Sequence, residues 1–171
     1  MAQSVELLLD DTADAVVQSQ WAALAAGGLP SQARHTGLSN RPHVTLAARR
    51  WMDPAAEPAL VAAVGGLPLP IRLGAVALFG AGPFVLVRLV VAARALLELQ
   101  AAVRDVLGPD PATDRQFAPG CWTPHVTLAR RLRAEQVPAA LSVLGGGRDG
   151  DAQLVSCRRW DGDARREWRL A

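Results

Sequence analysis

The sequence has no lysine and no tyrosine. All 18 basic residues are arginine, and the aromatic set is five Trp and three Phe. Few side chains are therefore available to stack on a planar ring. The net charge of +2 is too small to establish a polyanionic partner and does not oppose one; the planar fork of arginine suits phosphate groups. Two cysteines, Cys121 and Cys157, make no disulfide framework and read as reduced thiols of a cytoplasmic protein. The opening "MAQSVELLLDD" lacks a basic segment and meets Glu6, Asp10 and Asp11, so it does not read as a signal peptide. Long apolar runs are missing too. The most apolar stretch, "LGAVALFGAGPFVLV" (73–87), is broken at Gly80-Ala81-Gly82-Pro83. It fits two strands and a turn better than a membrane helix, which needs about 20 unbroken apolar residues. Only three histidines are present. Catalytic zinc usually takes three protein ligands plus water, and His35, in "SQARHTGLSN", has no ligand spacing. No metal and no cofactor is expected. His35 reads as a loop residue that either faces solvent or lines the mouth of a cleft.

What the chain does have is a repetition. "PHVTLA" occurs at 42–47 and again at 124–129, and its histidines, His43 and His125, lie 82 residues apart (125 − 43). Other features recur at that offset. "VELLL" from Val5 is matched by "VRLVV" from Val87, both strand-like. A helical segment follows each: "TADAVVQSQWAALAAGG", with Val17, Trp21 and Leu24 on one stripe, and "RALLELQAAVRDVLG", with Leu96, Leu99, Val103 and Leu107. After each hexapeptide comes a second helical segment ending in glycines, "AAEPALVAAVGG" and "AEQVPAALSVLGGG". Strands then start at Ile71 and Gln153, each leading to a hairpin, at "GAGP" and at "DGD". The 171 residues read as one α+β domain, 1–171. Two duplicated β-α-β-α-β units form pseudo-symmetric lobes, each a small, mostly antiparallel sheet with helices outside and a central cleft between them.

On a strand, His and Thr two residues apart share a face, and Val and Leu take the other. Pro42 and Pro124 suit a strand start. The pattern therefore splits each hexapeptide into a core side, Val and Leu, and a cleft side: His43 with Thr45, and His125 with Thr127. Packing alone requires only the Val and Leu. Two imidazoles on opposite sides of one phosphorus suit in-line displacement, one as base and one as acid, each proton transfer worth roughly 10²- to 10⁴-fold. The Thr hydroxyls are donors for phosphate oxygens. Arg49 and Arg130 follow the motifs; strict alternation puts Arg49 on the face of His43 and Arg131, not Arg130, on that of His125. Phe117 and Trp122 lie in the long 108–124 loop before the second motif, and Phe79 lies near the first hairpin. Each is a candidate for base stacking or for packing. The tail "CRRWDGDARREWRL" forms either a basic edge for RNA phosphates or a solvated edge hairpin whose arginines discourage strand pairing.

Two H-x-T-x motifs about 80 residues apart in a duplicated α/β chain resemble the 2H phosphoesterase superfamily. The group most similar is the bacterial 2′-5′ RNA ligase / RNA 2′,3′-cyclic phosphodiesterase family. "TPHVTLAR", with Arg130, is especially similar to that family's C-terminal motif, whereas "AARR" after the first motif departs from the family's usual aromatic and glycine. The resemblance implies metal-independent opening of a 2′,3′-cyclic phosphate to a 2′-phosphomonoester, or the ATP-independent joining of 2′-5′ linkages in the reverse sense. It implies catalytic His43 and His125, with His125 as base toward water and His43 as acid toward the 3′ oxygen. Thr45, Thr127 and Arg130 would hold phosphate, and Trp122 and Arg49 would contact substrate. RNA ends or nucleotide cyclic phosphates are the expected partners of a cytoplasmic, membrane-free monomer. A non-catalytic nucleotide-binding module, or the same chemistry on a cyclic phosphate derived from ADP-ribose, stay open at this level.

Overall fold

The computed structural model describes residues 3–37, 39–145 and 149–171. Leu38 and the glycines Gly146 and Gly147, read above as part of a helix stop, lie outside them. In chain order the elements are β1 (Gln3–Leu9), α1 (Asp11–Ala26), β2 (His43–Arg49), α2 (Glu57–Ala63), β3 (Leu69–Phe79), β4 (Phe84–Val90), α3 (Arg94–Leu107), the short α4 (Asp114–Phe117), β5 (His125–Leu132), α5 (Val137–Leu144), β6 (Gly150–Asp161) and β7 (Arg166–Arg169). Local chemistry explains the boundaries. Asp10 caps α1 by accepting from the Ala13 amide at 3.0 Å. The stripe Val17, Trp21 and Leu24 is buried beneath it. Gly145 ends α5 in a left-handed conformation, φ 61°, that costs a residue with a Cβ more. Among the described residues no helix is long and apolar enough to cross a membrane.

All strand pairs are antiparallel in the order β1-β2-β5-β4-β3-β6-β7, and the first six close into a ring because β1 also pairs with β6, leaving β7 beside β6. The ring divides into two three-stranded groups, β6-β1-β2 and β3-β4-β5. Each half of the sequence thus supplies its first two strands to one group and its third strand to the other. β3 and β6 exchange sides and pair with each other, Ile71 opposite Ala152. The sequence units and the lobes in space are different partitions of the chain.

The register also refines the repeat. His43 and His125 correspond at 82, but the strands beside them correspond at 81 (87 − 6). Glu6 stands opposite Thr45, whereas Val87 stands opposite Thr127. Hence Val87, not Arg88, is the counterpart of Glu6, and the match of "VELLL" to "VRLVV" is off by one. One residue on a strand reverses the face: Arg88, only 1% exposed, lies on the face of Leu86 and Val90. The same 81-residue offset makes Trp160, opposite Ser4, the counterpart of Phe79, opposite Val85. One continuous core includes Val5, Leu7, Val44, Leu46, Leu86, Val126 and Leu128.

Candidate functional site

β2 and β5 meet at a single register pair, Val44 opposite Val126. These residues are equivalent in the repeat, so a local two-fold axis passes between them. Antiparallel geometry then brings His43 level with Thr127 and Thr45 level with His125. Val44, Leu46, Val126 and Leu128 are fully buried in the core. His43, Thr45 and His125 are half-buried and Thr127 is 8% exposed, on the opposite face. The alternation read from the hexapeptide is the one in the fold. Beyond this pair the strands part, and their carbonyls need other donors. The Trp122 indole N–H donates to Thr45 O at 3.1 Å, the Trp21 indole N–H to Thr127 O at 3.0 Å, and the Gln100 amide to Leu46 O at 3.3 Å. Trp122, a stacking candidate from sequence, is thereby fastened to the β2 backbone and packs against the core. Among the described residues the two Thr hydroxyls have no protein partner.

The two imidazoles are held alike. Nδ1 of His43 donates to Arg41 O, and Nδ1 of His125 to Thr123 O, both at 2.7 Å. A carbonyl only accepts, so the proton sits on Nδ1 in the neutral ring and Nε2 carries the lone pair. Each Nε2 is left as the atom that takes or gives a proton.

Their surroundings differ. Beside His43 stands Glu6, its Oε1 3.7 Å from Nε2. Glu6 is 4% exposed; Ser4 Oγ donates to it at 2.6 Å and Arg158 binds its other oxygen through two nitrogens at 2.8 Å. Burial raises the Glu6 pKa, but the charges of His43 and Arg158 and the Ser4 hydrogen bond more than reverse this and hold it below the ordinary carboxylate value. Arg158 also donates to Ser39 O at 2.7 Å and pairs with Glu167, tying Ser39 to the β6–β7 hairpin. Beside His125 there is no such carboxylate among the described residues. Phe79 meets the imidazole edge-on, centroids 4.9 Å apart. Burial pushes the His125 pKa down, and the charges of Arg130 and His43 add to this against the hydrogen bond to Thr123.

The remaining sequence candidates separate. Arg130 is exposed at the end of the motif and near enough to act on His125; Arg131 is exposed with φ 60°. Arg49, 9% exposed, is engaged by Gly108 O, by Pro109 O at 3.3 Å and by Asp110 at 3.7 Å, so it anchors the loop after α3. His35 lines a cavity of about 900 Å³ beside His43. The basic tail splits: Arg158 and Arg159 point inward, 5% and 2% exposed, Arg159 binding Glu57, Gln3 and Met52 O, while Arg165 and Arg166 are exposed. Neither a basic edge nor a solvated hairpin alone describes it. Cys157 is buried and its thiol is pushed up to about 12, so it stays protonated. Glu6 and Trp160 escaped the sequence reading. An isolated acid on an apolar strand was the available signal for Glu6; none marked Trp160.

Among the described residues no three His, Cys, Asp or Glu are grouped to hold a metal. No curated protein matches the sequence. Solved structures do match in fold. Usb1 of Kluyveromyces marxianus superposes with TM-score 0.61 at 12% identity over 99% of this chain and 97% of that one. TT0787 of Thermus thermophilus gives 0.53 at 18% over 100% and 96%. E. coli LigT complexed with 3′-AMP gives 0.51 at 16% over 98% and 91%. Residues 17–161, spanning both motifs, match the family described as the 2′-5′ RNA ligase superfamily. With paired histidines, paired threonines and this ring of strands, the chain belongs to the 2′-5′ RNA ligase superfamily.

Proposed function

We propose that the protein is a metal-independent phosphodiesterase that opens 2′,3′-cyclic phosphates of RNA ends or nucleotides to 2′-phosphomonoesters. The joining of 2′-5′ linkages is the same chemistry in reverse. The observation that carries the reading is the pair of imidazoles fixed through Nδ1 on two strands related by a local two-fold axis. His125 is held towards its neutral form and takes a proton from water at Nε2. The water oxygen bonds to phosphorus, the bond from phosphorus to O3′ breaks, and His43 Nε2 delivers a proton to O3′. A carboxylate facing His43 attracts the imidazolium that this step consumes. Thr45 and Thr127 donate to the non-bridging oxygens, and Arg130 adds positive charge near the developing negative charge. The fold neighbour from E. coli, complexed with 3′-AMP, supports a ribose phosphomonoester as ligand class.

The test is hydrolysis of adenosine 2′,3′-cyclic phosphate in EDTA, with the product read by phosphorus NMR. The expected product is the 2′-phosphate, and His43→Ala and His125→Ala each lose roughly 10²- to 10⁴-fold or more. Saturable binding without turnover would instead mark a binding module, and a 3′-phosphate product would contradict the assignment.

A further inference from the structure

The cleft is lopsided. The cavity of about 900 Å³ opens beside His43, and no residue of the second motif lines it. That volume lies in the range of small-molecule pockets, roughly 300–1,000 Å³. One wall is formed by residues 35–37 with Ser39 and Asn40, the Asn40 amide donating to Gln32 O and His35 O at 2.9 and 2.8 Å. The other is the β6–β7 hairpin, which contributes Trp160, Arg165 and Arg166. Both arginines are exposed, and among the described residues neither is engaged by a carboxylate. The acids of the cavity, Glu6 and Glu167, are both paired with Arg158. The equivalent hairpin on the other side, β3–β4, offers Phe79 and the uncharged turn Gly80 to Pro83.

In the opening of a cyclic phosphate the leaving oxygen and the phosphate share one ribose. The nucleoside therefore lies on the side of the acid, His43, and the entering water on the side of His125. We propose that the cavity beside His43 is the binding site for the 5′-phosphorylated nucleotide at an RNA 3′ end, with its base stacked on Trp160 and its 5′-phosphate bound by Arg165 and Arg166. This rests on the reading of the reaction given above. An indole face accepts any base, and a guanidinium matches a phosphate bidentately. The hairpin makes the 5′-phosphate part of the recognised group, so the substrate class is an oligonucleotide end and not a bare nucleoside or sugar cyclic phosphate.

Binding separates this proposal from the reaction. Titration calorimetry of the full chain with adenosine 2′,5′-bisphosphate and with adenosine 2′-phosphate reads the subsite without turnover. The bisphosphate is expected to bind about tenfold tighter, and Arg165→Ala/Arg166→Ala is expected to bring that ratio close to one. Trp160→Ala is expected to weaken both ligands about tenfold and to remove the advantage of the bisphosphate over ribose 5-phosphate 2-phosphate, which lacks only the base. Equal wild-type affinities for the two adenosine ligands, or a preference that survives the arginine double variant, overturns the proposal. A tenfold preference in a protein that hydrolyses no cyclic phosphate upholds the site and removes the reaction.

Discussion

The side of the cleft around His43 and the side around His125 are built on the same strands, yet they are chemically opposite. Each presents an imidazole tied through Nδ1 to the carbonyl two residues earlier, a threonine on the same face, and an indole N–H on the threonine carbonyl. Around that shared frame, Glu6 and Trp160 on the first side are replaced by Val87 and Phe79 on the second. Duplication supplies two identical proton carriers, but displacement at phosphorus needs one carrier loaded and the other empty. The difference lies one strand away from the motifs, on β1, β4 and the two hairpins. There it alters charge and burial without disturbing the histidines' own geometry.

The largest test is of the shared frame. In the proposed reaction acid and base act in a single step, so the double variant His43→Ala/His125→Ala is expected to be no slower than the slower single variant; steady-state rates on a dinucleotide ending in a 2′,3′-cyclic phosphate measure this. Additive losses would mean that the two sides act in separate steps. Next is the charge. Glu6→Val makes the first side resemble the second and strands Arg158, 5% exposed, with only Glu167 and Ser39 O. Breaking a buried pair in this way costs about 3 kcal/mol or more, read from urea unfolding, whereas Glu6→Gln retains groups for Ser4 and Arg158 and costs less. Thr45→Val and Thr127→Val keep the strand preference and remove one donor each. Both are expected to lose kcat about 10²-fold, and clearly unequal losses would show that one side carries the phosphate alone.

The features legible in sequence are those that a strand's own alternation determines. His43, Thr45, His125 and Thr127 share a cleft because His and Thr are two apart and Val and Leu between them are buried, and that information is local. The hairpins at Gly80 and Asp161, and the stripe Val17, Trp21, Leu24, are local too. The rest depends on partners far along the chain. The strands beside the motifs correspond at 81 (87 − 6), one short of the 82 that separates the histidines, and that one residue puts Val87 in the place of Glu6 and turns Arg88 off the cleft face. The exchange of β3 and β6 between lobes brings Trp160 over the cleft from residues that the repeat assigns to the other half. Arg49 follows alternation on paper but is claimed by the carbonyls of Gly108 and Pro109. Trp122 is claimed by a carbonyl that exists unpaired only because β2 and β5 part after one residue.

The smallest effect bears on the second side alone. The His125 pKa lies below its ordinary value of 6.5, chiefly through burial, to which the edge-on packing of Phe79 adds. A base works only when unprotonated, so activity that depends on His125 is retained as pH falls through about 6.5 and is lost at the lower pH where the imidazole takes up its proton. The acid limb of kcat/KM is therefore expected below about pH 6.5. Phe79→Ala admits water to the imidazole edge and relieves part of the burial, so the same limb should move up towards the ordinary imidazole value. Proton NMR of the His125 ring should titrate in step with the limb in both proteins. Were the limb to stay fixed while the ring titration moved, the base would be His43, and the roles of the two sides would be exchanged.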